Sequence, residues 1–282
     1  MSYTPSTLQD RALTLLYEQP LGQIVLRLLV CPPFSRAVGW CMDSSASRLL
    51  IPLCIHHWKL NMGDYTHQRY HCYNDFFTRR VRSDRRPMPI DPQALACPCD
   101  GLATVLSIGR DSVFTIKGAK YTLKSILRSD KLATQFAGGL AIILRLTVSN
   151  YHRYCYPVSG VKSVNRKIPG KLHTTCPIAH QHVALYHENS REYTALVSPD
   201  YGTLLQMEVG ALCVGRIVNY HESQPILRGQ EKGRFEFGGS TVILFLQKNR
   251  LSLSQKLLDS HASGLETPVR MGETLGLPLQ TH

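Results

Sequence analysis

No apolar run in this 282-residue chain reaches 18 residues, so no helix that crosses a bilayer is expected. The first residues lack a basic stretch followed by an apolar one, and neither a secretory leader nor an Arg-rich transit peptide is expected. Paired cysteine spacing is missing as well. Nine cysteines stand at scattered positions, only Cys97 and Cys99 are close, and there is no C-x-x-C. Such a set excludes a disulfide framework and a zinc site, and it suits a reducing compartment. Acidic residues are scarce: 20 Asp plus Glu stand against 32 Lys plus Arg, a net charge of +12. That balance suits an acidic partner, either nucleic acid or an anionic membrane surface. Zinc-finger spacing, RNP-type aromatics and basic heptads are all missing, so nucleic acid is not expected. Internal repeats and low-complexity tracts are also absent.

A hydrophobic content of 43% fits a folded chain with a substantial core. Residues 1–78 read as amphipathic helices with breaks at Pro32-Pro33, Pro52 and Gly63. Within them, Leu21 to Val30 and Ser45 to Trp58 read as helices that either pack on the core or lie in a membrane interface. Residues 79–95 form a charged, Pro-rich connector. Its cluster of Arg79, Arg80, Arg82, Arg85 and Arg86 reads either as a solvated loop or as a contact for lipid phosphate. From Ala96 to the end the texture is that of strands: Thr104 to Ile108, Val113 to Lys117, Ala141 to Val148, Leu204 to Val209 and Val242 to Leu246. Tyr121 to Leu127 reads as a short helix. The fold class expected is α+β, with a helical N-terminal membrane-facing region on a β-rich catalytic body (residues 96–282).

Phe237-Gly238-Gly239-Ser240-Thr241 carries the most chemistry. Two glycines before a Ser at the mouth of a strand permit a tight backbone. The Ser240 hydroxyl can then lie against the carbonyl carbon of Gly239 and cut the chain there. A bare G-G-S-T is more often a turn that starts a strand, so the other segments decide. Asp100 stands in Cys97-Pro98-Cys99-Asp100-Gly101, His152 in Asn150-Tyr151-His152-Arg153-Tyr154-Cys155, and His173 in Gly170-Lys171-Leu172-His173-Thr174.

Together these segments resemble the phosphatidylserine decarboxylase family, almost end to end. Leu16-Tyr17 to Leu21-Gly22, Asp43-Ser44 and Ser47-Arg48 are similar to its N-terminal region. Tyr73-Asn74-Asp75-Phe76-Phe77-Thr78-Arg79 resembles its FNDFFTR signature, and Arg86-Pro87 its RP. Asp100-Gly101, Ile116-Lys117-Gly118 with Tyr121-Thr122-Leu123, and Tyr151-His152-Arg153-Tyr154 resemble further elements. So do Glu188 to Tyr193 and Met207 to Ala211, and Lys232 to Thr241 resembles the self-cleavage motif.

The resemblance implies an enzyme that makes its own pyruvoyl cofactor from Ser240. Cleavage between Gly239 and Ser240 would give chains 1–239 and 240–282. The pyruvoyl carbonyl would form a Schiff base with phosphatidylserine, which would leave as phosphatidylethanolamine and CO₂. An Asp-His-Ser arrangement is implied for the cut, with Asp100 and Ser240 as two of its members. Many members carry a second His three residues after the first, the usual base, where this chain has Cys155; Asn150 stands where an acidic residue is common. His152, His173 and Cys155 therefore compete for the base, and His152 is favoured; His152 is also the candidate proton donor for decarboxylation. A peripheral membrane protein on the cytoplasmic, reducing side is expected. The alternatives are a pyruvoyl decarboxylase of a soluble amino acid and a non-catalytic lipid-binding relative.

Overall fold

The computed structural model describes residues 8–116, 119–212, 216–237 and 240–279. Lys117, Gly118, Gly238 and Gly239, all singled out above, lie outside the described residues. The N-terminal region is helical: α1 (Leu8–Glu18), α2 (Pro20–Leu29), α3 (Pro32–Asp43) and α4 (Leu50–His57), followed by the short α5 (Tyr73–Phe77). Proline stands at the start of α2 and of α3, where its missing N–H costs nothing and its fixed φ suits the first turn. Pro52 does not break α4, contrary to expectation. It falls in the first turn, before any backbone N–H is needed.

Eight strands position the site: β1 (Gly101–Ser107), β2 (Leu140–Leu146), β3 (Arg153–Cys155), β4 (Arg191–Ser198), β5 (Gly202–Val209), β6 (Arg216–Asn219), β7 (Glu231–Glu236) and β8 (Ser240–Leu246). The large sheet runs β4-β5-β8-β2-β1 through its middle, all antiparallel. A second sheet, ordered β6-β7-β3, lies apart from it. Helices fill the N-terminal region, and antiparallel strands with a few short helices between them make the body, the α+β fold expected. Tyr121 and Thr122 end a strand, and the helix expected from Tyr121 begins at Leu123, because the Thr122 hydroxyl accepts the Ser125 N–H at 3.2 Å.

All seven residues of β8 are buried. Ile243 and Phe245 enter one core with Met207, Tyr121 and Phe114, whereas Val242, Leu244 and Leu246 enter another with Tyr154, Tyr156 and Phe235. A strand covered on both faces reads as a continuous apolar run, which is why Val242 to Leu246 shows no alternation. Leu13 and Tyr17 of α1 and Leu26 of α2 complete the first core. The outer side of these helices stays apolar and bare. Leu21 is 79% exposed and Trp40 79%, with Ile24, Leu28, Leu49 and Leu53 also exposed. Among the described residues no single helix is long and apolar enough to cross a membrane.

The basic connector is largely neutralised from within. Arg79 is buried, donates to the Tyr65 hydroxyl at 3.2 Å and stands 4.2 Å over that ring. Arg80 faces Glu231, Arg82 faces Asp84, and Arg85 faces Asp64. Arg86 is buried against Asp100. The contact with lipid phosphate considered for this cluster is therefore not open to Arg79 or Arg86.

One ion pair fastens the second sheet to the first. Lys232 on β7 meets Glu208 on β5 at 2.6 Å, and both side chains are fully buried. Asn219 on β6 accepts from Lys232 Nζ at 2.7 Å. Burial pushes the Glu208 carboxyl up and the Lys232 ammonium down, and their contact opposes both shifts. Lys232→Met strands a buried carboxylate, so urea denaturation of an uncut Ser240→Ala background should show a loss of about 3–5 kcal/mol. Adding Glu208→Leu should recover most of it; equal losses in the single and double variants would mean the ion pair is not the fastener.

Candidate active site

Strand register gathers the candidate residues at one end of the large sheet. Ser240 on β8 pairs with Leu146 on β2, Leu102 on β1 pairs with Arg145, and Val209 on β5 pairs with Thr241. One step along these ladders sets Gly101 beside Leu146 and Gly210 beside Ser240. A Cβ at Gly101 would come within 2.8 Å of the Arg145 carbonyl oxygen, so only glycine fits after Asp100. Gly101 and Ser240 therefore flank Leu146 across three neighbouring strands, with Asp100 one residue beyond.

Ser240 opens β8 and is fully buried. Its Oγ has no hydrogen-bond partner among the described residues. A buried hydroxyl left unpaired costs about 1–3 kcal/mol, and a fold that tolerates this holds the oxygen for another purpose. The chain crosses from one sheet to the other here, because β7 ends at Glu236 in the second sheet and β8 starts at Ser240 in the first.

His152 lies between β2 and β3, buried. Its backbone oxygen accepts from the Phe235 N–H at 2.9 Å, which ties it to β7 just upstream of the crossing. Its Nδ1 is 2.9 Å from the Asn150 carbonyl oxygen. That oxygen only accepts, so Nδ1 carries the proton and Nε2 is the basic nitrogen of the neutral ring. Asn150 shapes the turn by accepting the Thr147 N–H through Oδ1 at 2.7 Å, a task an amide does as well as a carboxylate. Phe77 lies 4.0 Å from the imidazole between ring centroids, and Phe237 packs 5.7 Å from Phe77.

Asp100 is held by Arg86 in a two-pronged ion pair of 2.8 and 2.7 Å, and Oδ1 also accepts the Met271 N–H at 2.9 Å. Cys155 hangs from the same segment, because its N–H donates to the Pro98 oxygen at 2.9 Å. Burial pushes its thiol up to about 12, so it is S–H at neutral pH and takes no proton from a hydroxyl. Burial also pushes the Cys97 and Cys99 thiols up.

His173 reaches the same end of the sheet through Asn189, which donates to the His173 and Gly210 oxygens at 2.8 Å each. Its ring has other partners. The Tyr17 hydroxyl accepts the Thr174 N–H at 3.3 Å and shares a hydrogen bond with His173 Nδ1, 3.1 Å away. Nε2 faces Glu188 at 3.7 Å. Both ring nitrogens of His173 therefore already face a partner.

A cavity of about 390 Å³ opens between α3 and the end of β7. Arg36, Trp40, Asp43, Arg216, Glu236 and Phe237 line it. Phe237 thus joins the cavity wall to the crossing that carries Ser240. Arg86 as the partner of Asp100, Tyr17 on His173 and the ring of Phe77 on the imidazole were not legible in the sequence. All three partners sit in segments already read as motifs, but their pairing is long-range.

The fold and site define a class: an α+β protein with a buried, unpartnered serine where the chain crosses between two sheets. A family model described as phosphatidylserine decarboxylase matches residues 73–277. The chain is 34% identical over 275 residues to phosphatidylserine decarboxylase proenzyme 2 of Clostridium acetobutylicum, covering 97% of this chain and 94% of that one. It is 36% identical over 266 residues to a phosphatidylserine decarboxylase proenzyme of Clostridium perfringens, covering 92% and 90%. For the proenzyme of Clostridium kluyveri the identity is 35% over 270 residues, covering 94% and 91%. This chain belongs to the phosphatidylserine decarboxylase family.

Burial holds His173 below the ordinary imidazole range. The unfolded chain then binds more protons, so this contribution to stability is complete above about pH 6.5 and fades as pH falls below it. The thermal midpoint of the uncut Ser240→Ala chain should drop between pH 7 and pH 5, and His173→Asn should flatten part of that drop. An unchanged slope would remove His173 from the acid response.

Proposed function

We propose that this chain is a self-processing phosphatidylserine decarboxylase that works on an anionic bilayer. The observation that carries the reading is the buried Ser240 hydroxyl without a partner, placed directly after Gly238-Gly239 in a chain of this family. The same orphaned oxygen fits the demands of a pyruvoyl precursor, which must meet the backbone rather than water.

His152 takes the Ser240 proton at Nε2, and Oγ bonds to the Gly239 carbonyl carbon. The Gly239–Ser240 C–N bond then breaks and the amine accepts a proton, which leaves an ester. Removal of the Ser240 Cα proton expels the carboxylate of Gly239, and water replaces the nitrogen, which departs as ammonia. Asp100 stays paired with Arg86 and stiffens the sheet end, so its role is to hold the β1–β2 corner beside Ser240. Once formed, a pyruvoyl group supplies an electron sink for loss of CO₂ from an amine-bearing substrate. His152 is the group that returns a proton to the substrate carbon. The cavity beside Phe237 takes the lipid headgroup, with Arg36 and Arg216 on its rim for the phosphodiester.

Bilayer docking falls to the bare apolar side of α2, α3 and α4, flanked by Arg27, Arg36 and Arg48. Exposed thiols at Cys31 and Cys41 favour the reducing, cytoplasmic side. The same bare face favours a lipid over a soluble amino acid as substrate.

An intact-mass spectrum under denaturing conditions tests the cut. Wild type should give chains 1–239 and 240–282, and Ser240→Ala should give one chain. His152→Ala should slow the cut by about 10²–10⁴-fold, whereas His173→Ala should cut at nearly the normal rate. The reverse order would transfer the base to His173. For docking, Leu21→Glu with Ile24→Glu should weaken flotation with phosphatidylserine vesicles by more than about tenfold, since each exposed side chain contributes roughly 1.5–3 kcal/mol when buried. Unchanged flotation would exclude α2 as the anchor.

A further inference from the structure

A buried amide side chain grips the backbone just ahead of the cut. Asn74 on α5 accepts the Phe237 N–H through Oδ1 at 3.0 Å. Its Nδ2 donates to Asp43 Oδ1 at 2.8 Å. These two partners fix which way the amide faces, because a backbone N–H needs an acceptor and a carboxylate needs a donor. Asp43 is the last residue of α3, where the helix dipole disfavours an anion. Its place there is explained by Asn74 and not by the stability of α3.

Phe237 is the first residue past β7, where the pairing that holds Glu236 to Arg216 ends among the described residues. Sheet pairing resumes at Ser240 with Leu146. The Phe237 ring is pinned by Tyr73 at 5.2 Å and Phe77 at 5.7 Å, both neighbours of Asn74 on α5. Among the described residues, the backbone N–H of residue 237 is thus held by α5.

We propose that Asn74 is a positioning residue for self-cleavage, oriented by Asp43, that fixes residue 237 so that the Gly239 carbonyl meets Ser240. The proposal rests on the self-cleavage reading above. The grip outlasts the cut: it keeps the new end of chain 1–239 docked against α3 as a wall of the cavity.

The test is a time course of cleavage after refolding, read by intact mass at pH 8 and pH 5 as a ratio to wild type at the same pH. Asn74→Ala should cut about tenfold more slowly at both pH values. Asn74→Asp should be slow at pH 8, where two carboxylates face each other. It should recover towards pH 5, where the introduced carboxyl takes a proton and can donate to Asp43. Combining Asn74→Asp with Asp43→Asn restores a donor–acceptor pair and should recover the rate at pH 8. That recovery separates positioning from packing, because the swap leaves side-chain size unchanged. A wild-type rate in Asn74→Ala overturns the proposal alone, as does a swap no faster than Asn74→Asp whose Ser240→Ala version melts like its parent. An uncut wild-type chain overturns the self-cleavage reading, and the proposal with it.

Discussion

Ser240 heads a strand buried on both faces, so its hydroxyl is cut off from water before any chemistry begins. Seven buried residues in a row hold it there, with β5 on one side and β2 on the other. A serine in that position costs stability unless the oxygen has a task. The nucleophile is also fixed in the middle of the sheet, so a cut ahead of it frees no strand: β7 stays in the second sheet and β8 in the first. The Glu208–Lys232 pair lies wholly within residues 1–239 and ties the second sheet to the first on that side of the crossing.

Charge is handled at this site by pairing in fixed geometry. Asp100 spends both oxygens on Arg86 and the Met271 N–H. In the proposed mechanism it is a corner piece, and the proton traffic falls to an imidazole whose tautomer is set by a carbonyl. Cys155 fits the same account. Its backbone keeps the antiparallel contact with Pro98, while burial holds the thiol neutral. The segment retains its shape at Cys155, and in the proposed mechanism the acid–base work falls to His152.

Much of this was legible in the sequence, for physical reasons. β8 announced itself because a strand covered on both faces needs an unbroken apolar run, and α2 because Leu21 to Val30 is amphipathic; Pro32-Pro33, read as a break, opens the first turn of α3. The strand end carrying His152 and the crossing before Ser240 were visible as motifs. Partners distant in the chain were not. Arg79 and Arg86 belong to a run that reads as solvated, yet one lies over Tyr65 and the other on Asp100. Periodicity carries no signal for such contacts, since each depends on where a loop returns after the sheet has formed. Pro52 shows the opposite error: a residue that usually ends helices sits harmlessly in a first turn.

Asn74 and Phe237 are 163 positions apart, and their contact gives the N-terminal helices a reason to be more than a covering. α3 exposes Trp40 and, one helical turn later on the same face, sets Asp43 against Asn74. On the proposed reading, a bilayer that captures Trp40 acts on the same helix that orients the amide on residue 237. No long wire of residues is required, only a rigid helix that carries an apolar side chain and a carboxylate one turn apart. The cavity lies along that same path, walled by α3 and Phe237. On the proposed reading, docking, entry of a headgroup and placement of the crossing share one element, and a change in how α3 sits would be felt by all three at once.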